Sequence, residues 1–254
     1  MRKMTIGTIV ILLIAGTTGA ANPTLWEKLI DVALQHIKTN GPDAETGQFI
    51  GMARHHVWSR RQEFVDLVIP YLKGKDPDKA AGAVDIFHWL RIYRPVHYLG
   101  DFEKENNDFF LKADKIVYGQ LKHLHSLEND QVYHRLAIYL GCSPTAEAKH
   151  HLLRIADSPI AKTAKEQALI CLAWHRDPKD MEILLPYMLE DSHASRFLPY
   201  HFRNSYGEAS IPYLKKAIAK VKSEATRSEA KKELKYIQDI KQKNVEQTDA
   251  PDKE

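Results

Sequence analysis

No long hydrophobic run is present in this chain. The apolar stretch Ile9 to Ala15 falls far short of the roughly 20 residues that a bilayer-spanning helix needs, which argues against a membrane anchor. Its setting accounts for it: Arg2 and Lys3 precede it and the small residues Gly19, Ala20 and Ala21 follow, the three-part pattern of a secretory signal peptide. The sequence predicts a signal peptide over residues 1–21, cut after Ala20 or Ala21, and a secreted or periplasmic product without membrane insertion after cleavage. No cysteine lies near the cut, so the lipid attachment site of a bacterial lipoprotein is missing. A usable glycosylation triplet is missing as well, because Pro23 blocks the one at Asn22.

A large excess of charge of one sign is also absent. Lys and Arg number 36 against 33 Asp and Glu, a net charge of +3, which is too small to argue for a nucleic-acid partner. About 230 residues remain after processing, enough for one large domain or an elongated array with a continuous core. Nowhere does an alternating strand pattern bounded by hairpin turns occur. Helix punctuation is what the chain has instead. Thr24-Leu25-Trp26-Glu27 reads as a capping box, and Trp26, Leu29, Ile30, Ala33 and Ile37 follow at helical spacing until Gly41-Pro42. Ser59-Arg60-Arg61-Gln62 opens a second helix that Gly74 closes, and Asp76-Pro77 opens a third. The expectation is an all-α protein.

Repetition is the more informative feature. Ser143-Pro144 and Asp177-Pro178 are both N-cap-plus-proline starts, 34 residues apart. In that register His134 to Leu140 lies over Ala168 to Trp174, and Ala148 to Ile155 over Glu182 to Leu189. The phrase apolar-Pro-Tyr-apolar recurs at Ile69-Pro70-Tyr71-Leu72, Leu185-Pro186-Tyr187-Met188 and Ile211-Pro212-Tyr213-Leu214, its last two copies 26 residues apart. Leu185 to Asp191 followed by Arg196, and again Tyr206 to Leu214, resemble the second-helix phrase of the HEAT-repeat family. The resemblance runs from about Asn129 to Lys220. It implies an α-solenoid of HEAT-like helical hairpins, irregular in the first half, with Pro186 and Pro212 in the first turns of their helices. It further implies that Asp191 and Arg196 are structural, tying adjacent repeats by hydrogen bonds.

The organisation that follows is a signal peptide over 1–21, a helical part with irregular repeats over 22–128, HEAT-like repeats and a capping helix over 129–241, and a disordered polar tail over 242–254. In the capping helix Val221, Ala225, Leu234, Ile237 and Ile240 make the apolar stripe, opposite a face of lysines and other polar residues.

The chain has two cysteines, Cys142 and Cys171, and an oxidising compartment brings a disulfide to mind. In the 34-residue register Cys171 lies over Ala137, leaving Cys142 an axial offset of roughly 7.5 Å on a neighbouring helix, beyond the usual disulfide reach of about 7 Å. Two free thiols are expected, with Cys171 packed in an apolar helix.

Catalytic signatures are scarce. No His-Glu-x-x-His, Gly-x-Ser-x-Gly or glycine-rich phosphate loop occurs. Histidines number 13, and His97-Tyr98-Leu99-Gly100-Asp101 resembles the His-x-x-x-Asp piece of the zinc-dependent phospholipases C, where that His and Asp hold metal. The stretch Phe102 to Asp108 lacks the further histidine of that family's next element. The pairs His55-His56 and His150-His151 are adjacent residues, which do not share a helix face. His55, His56, Trp58, Arg60 and Arg61 form a short basic-aromatic cluster. The sequence therefore predicts no cofactor and a binding scaffold for a protein or peptide partner in the cell envelope. A secreted zinc hydrolase built on His97 and Asp101, and a structural spacer in an envelope assembly, are the alternatives.

Overall fold

The computed structural model describes residues 61–92, 112–143, 145–161, 163–190 and 192–248. Among them every regular element is a helix: α1 Arg61–Leu72, α2 Pro77–Ile92, α3 Leu121–Ser126, α4 Asp130–Gly141, α5 Ala146–Ala156, α6 Thr163–Trp174, α7 Asp180–Leu189, α8 His193–Tyr206, α9 Ile211–Lys220 and α10 Glu224–Thr248. A further helical stretch covers 112–119, and a 3-10 turn, Gly207–Ser210, joins α8 to α9. No described helix is long and apolar enough to cross a membrane. The chain divides into two compact units, Met1–Tyr139 and Leu140–Glu254.

In the first unit, Asp76 starts α2 as its sequence position implies, its carboxylate accepting from the amides of Asp78 (3.0 Å) and Lys79 (3.3 Å). Helices α1 and α2 pack together through Val65, Val68 and Leu72 on one and Ala80, Val84 and Phe87 on the other, all buried. Each fully buried side chain of leucine or phenylalanine size contributes about 1.5–3 kcal/mol. His123 of α3 bonds the Gly74 carbonyl at 2.9 Å. Asp85 of α2 and Arg135 of α4 form a buried ion pair at 3.6 Å, and Tyr139 donates to the Asp114 carboxylate.

In the second unit α6 packs against α5, α7 and α8. Its sequence explains why: Ala168, Leu169, Cys171, Leu172 and Ala173 bury several faces of one helix. From α6 onward each helix also touches its next-but-one neighbour, α6 on α8, α8 on α10 and α7 on α9. Side-chain bonds between these elements join residues about thirty apart. Tyr187 donates to Asp157 at 2.9 Å and Tyr213 to Glu182 at 2.8 Å, separations of 30 and 31 residues. These tyrosines belong to two of the recurring Pro-Tyr phrases, and each ties its helix to a carboxylate about thirty residues earlier.

Several expectations are corrected. Pro212 does lie in the first turn of α9, but Pro186 sits in the second half of α7, not in a first turn. Only three residues of α7 follow Pro186, so the ring interrupts the helix where it is about to end. Helix α5 starts after Thr145, whose hydroxyl accepts from the Ala148 amide at 3.1 Å, and not at Ser143. Helix α10 runs through Thr248, into the segment read as a disordered tail, since nothing from Gln242 to Thr248 is a helix breaker. The buried seam of α10 is Thr226, Ala230, Glu233 and Ile237, while Ala225 and Ile240 are exposed. The apolar stripe of the sequence is thus rotated, because two polar residues turn inward to partners on α8. Ser195 and Thr226, both fully buried, share a hydroxyl–hydroxyl bond of 3.0 Å, and Arg203 pairs with Glu233.

Cys142 and Cys171 are free thiols, yet the register argument for that outcome does not hold. A Cβ on Gly141 would stand 2.7 Å from Cys171 Cβ, so the end of α4 that leads into Cys142 comes up against Cys171. The signal segment, the 22–60 region, His97, Asp101, Asp191 and the residues from 249 onward lie outside the described residues.

Candidate functional site

Helices α6, α8 and α10 carry a run of large side chains that packing leaves in solvent. Trp174 ends α6, Phe197 and Tyr200 lie three apart on α8, and Tyr236 lies on α10; all are 42–50 % exposed. Residues three or four apart share a helix face, which puts Phe197, Tyr200 and His201 together. Ring contacts then carry the run across helices. Trp174 lies 6.3 Å from the His201 ring and donates to its Nδ1 at 3.4 Å. Tyr200 meets His201 edge-on at 5.3 Å.

At the α10 end the run closes around a cation. The Arg203 guanidinium carbon stands 5.0 Å from the Tyr200 ring centre and 4.3 Å from that of Tyr236, within the range of cation–π attraction. Its Nε donates to Glu233, a carboxylate only 3 % exposed. Lys232 approaches the same carboxylate at 3.7 Å and bonds Glu229 at 2.8 Å. A pocket of about 440 Å³ opens here, lined by Tyr200, Arg203, Lys232, Glu233, Lys235, Tyr236 and Asp239. Burial holds His201 below the usual histidine range, so its ring is neutral at neutral pH and its Nδ1 can accept from Trp174.

A second polar cluster lies between α5, α6 and α7. Lys149 Nζ bonds Asp177 at 2.6 Å and Asp180 Oδ1 at 3.1 Å, and stands 2.9 Å from Asp180 Oδ2. Burial pulls Lys149 down, but the bonds to both carboxylates outweigh it and keep this lysine above its ordinary value. Lys149 is therefore held in its charged form between the two carboxylates. Burial pushes Asp180 up despite the Lys149 bond. His175, lowered by burial, bonds the Leu140 carbonyl at 3.1 Å. The Cys171 thiol, fully buried, is pushed up to about 12 and is unreactive.

Among the residues singled out from the sequence, Arg196 lies exposed in the first turns of α8, while Asp191, its expected counterpart, is outside the described residues. So are His97 and Asp101. Among the described residues no group of three His, Cys, Asp or Glu side chains is placed to hold a metal ion. His150 and His151 contact each other edge-on at 5.4 Å and gather no third ligand. The aromatic run was not read from the sequence. Its one signal was that Tyr236 falls on the lysine-bearing side of α10, off the apolar stripe.

No protein-family model, curated protein or solved structure gives a significant match to this chain.

Proposed function

We propose that this chain is an exported helical-repeat protein, an α-solenoid of HEAT-like hairpins, that works by binding a protein or peptide partner in the cell envelope through the α6–α8–α10 face. The observation that carries the reading is the exposed run Trp174, Phe197, Tyr200 and Tyr236, joined through His201 and Arg203. Exposed aromatic residues gathered on one face mark interaction sites, and Trp, Tyr and Arg are the side chains enriched where binding energy concentrates. The next-but-one helix contacts and the thirty-residue spacing of the tyrosine stitches support the repeat architecture.

A photo-crosslinking amino acid placed at Phe197 in the exported protein, expressed in its own cells, tests the reading. A discrete adduct, absent when the probe sits at Lys216 on α9 and lost in a Trp174→Ser background, is the expected result. Identical adducts at both positions, or none at Phe197, would sink it.

A further inference from the structure

Resting on the docking face just described, we infer that the pocket between α8 and α10 is a carboxylate site, and that its occupant is an acidic side chain of an extended partner segment that also carries aromatic residues. Three observations converge on this. First, Arg203 is held rigidly: its Nε is committed to the buried Glu233 and its plane is covered by Tyr200 and Tyr236. Second, its two terminal amino groups have no hydrogen-bond partner among the described residues, so a planar donor edge belongs to a group that lines the pocket. A guanidinium offers a carboxylate two parallel hydrogen bonds, and one already held in place loses little rotamer freedom on forming them. Third, Lys235 lines the same pocket, is exposed and has no partner among the described residues.

Within the pocket the cations differ in how far they are already committed. Lys232 is taken up by Glu229 and Glu233 and the Arg203 Nε by Glu233, which leaves the terminal edge of Arg203 and the Lys235 ammonium as the donors on offer. Asp239, one turn beyond Lys235, sets a limit, because it repels a second carboxylate at that end. The tyrosine walls accept the aromatic neighbours of the acidic residue, and a volume of about 440 Å³ suits one or two side chains and not a folded domain.

Fluorescence anisotropy with the full mature protein and short acetylated, amidated peptides is the test. One peptide alternates Glu and Tyr; a second replaces Glu by Gln; a third is the Gln peptide with a free C-terminus. The Glu–Tyr peptide should bind saturably and the Gln–Tyr peptide roughly tenfold more weakly, with the difference shrinking as salt is raised. Lys235→Glu, at an exposed unpaired position, should weaken the Glu–Tyr peptide, while the same charge change at Lys216 should not. Arg203→Lys should weaken it too, since the charge stays and the planar fork goes. Equal binding of the Glu and Gln peptides, no saturable binding, or equal behaviour of the two charge-reversal variants overturns the carboxylate site. Tight binding of the Gln peptide with a free terminus also overturns it, by putting a chain end in place of a side chain. A specific adduct at Phe197 alongside any of these leaves the docking face standing, whereas peptide binding without an adduct removes the docking face and keeps the pocket.

Discussion

The indole of Trp174 and the ring of His201, 27 residues apart in the chain, are joined by a hydrogen bond of 3.4 Å at the surface where α6 meets α8. The bond needs an unprotonated Nδ1, and a doubly protonated imidazole has no acceptor to offer. Burial lowers the His201 value below 6.5 in the fold. A histidine depressed by folding contributes stability that is present above its unfolded value and lost as pH falls through its folded value. Trp174 emission should therefore change reversibly below about pH 6.5. The difference spectrum between wild type and Trp174→Phe reads this residue alone, and His201→Leu should abolish the transition. A pH-independent difference spectrum would show that the bond does not hold Trp174.

The Lys149–Asp180 contact predicts an asymmetric pair of mutants. Asp180 is 2 % exposed, and Lys149→Met would strand its carboxylate, a loss of about 3 kcal/mol by chemical denaturation. Asp180→Asn in the Lys149→Met background should recover much of that loss by removing the buried charge. Because burial raises Asp180 above 3.8, its protonated form suits the fold. The penalty is therefore absent at low pH and grows as pH rises through the raised value, so Lys149→Met should approach wild type as the solution is acidified. A mutant whose deficit is constant across that range would contradict the account.

Gly141 is expected to resist alanine. Ordinarily alanine gains about 1 kcal/mol over glycine inside a helix. Here the added Cβ would meet Cys171 Cβ at 2.7 Å, Cys171 Sγ at 2.8 Å and Trp174 Cε3 at 3.2 Å. Overpacking of this kind costs about 1–3 kcal/mol, so Gly141→Ala should lower the melting temperature. A rise would mean that α4 and α6 can move apart freely.

Export makes a prediction of its own. Arg2-Lys3, the short apolar run and the small residues before Asn22 imply a mature chain beginning near Ala21 or Asn22. Intact-mass measurement of the exported protein checks this, and a mass that retains Met1 to Gly19 would remove the cleavage proposal.

The all-helical character was readable from the sequence because its determinants are local. The Asp76 cap and the first-turn position of Pro212 depend on residues within a turn or two of each other. The long apolar helix α6 was readable for the same reason, since its side chains bury whichever neighbour arrives. Pro186 was misplaced because the phrase around it matches the one around Pro212, and nothing within the phrase states how much helix precedes it.

What the tertiary structure decided is which polar residues go inside and which aromatic ones stay out. Thr226 and Glu233 are not part of the apolar stripe read for α10, yet they belong to its buried seam because Ser195 and Arg203, 31 and 30 residues away, supply their partners. Turning those residues inward rotates the helix, which leaves Tyr236 in solvent to cover Arg203. Helical periodicity locates an apolar stripe, but the cost of burying a polar group depends on whether a distant residue arrives to bond it. That pairing is a property of the assembled helices. The candidate site is built from such pairings, whereas the helices that carry it were written in local order.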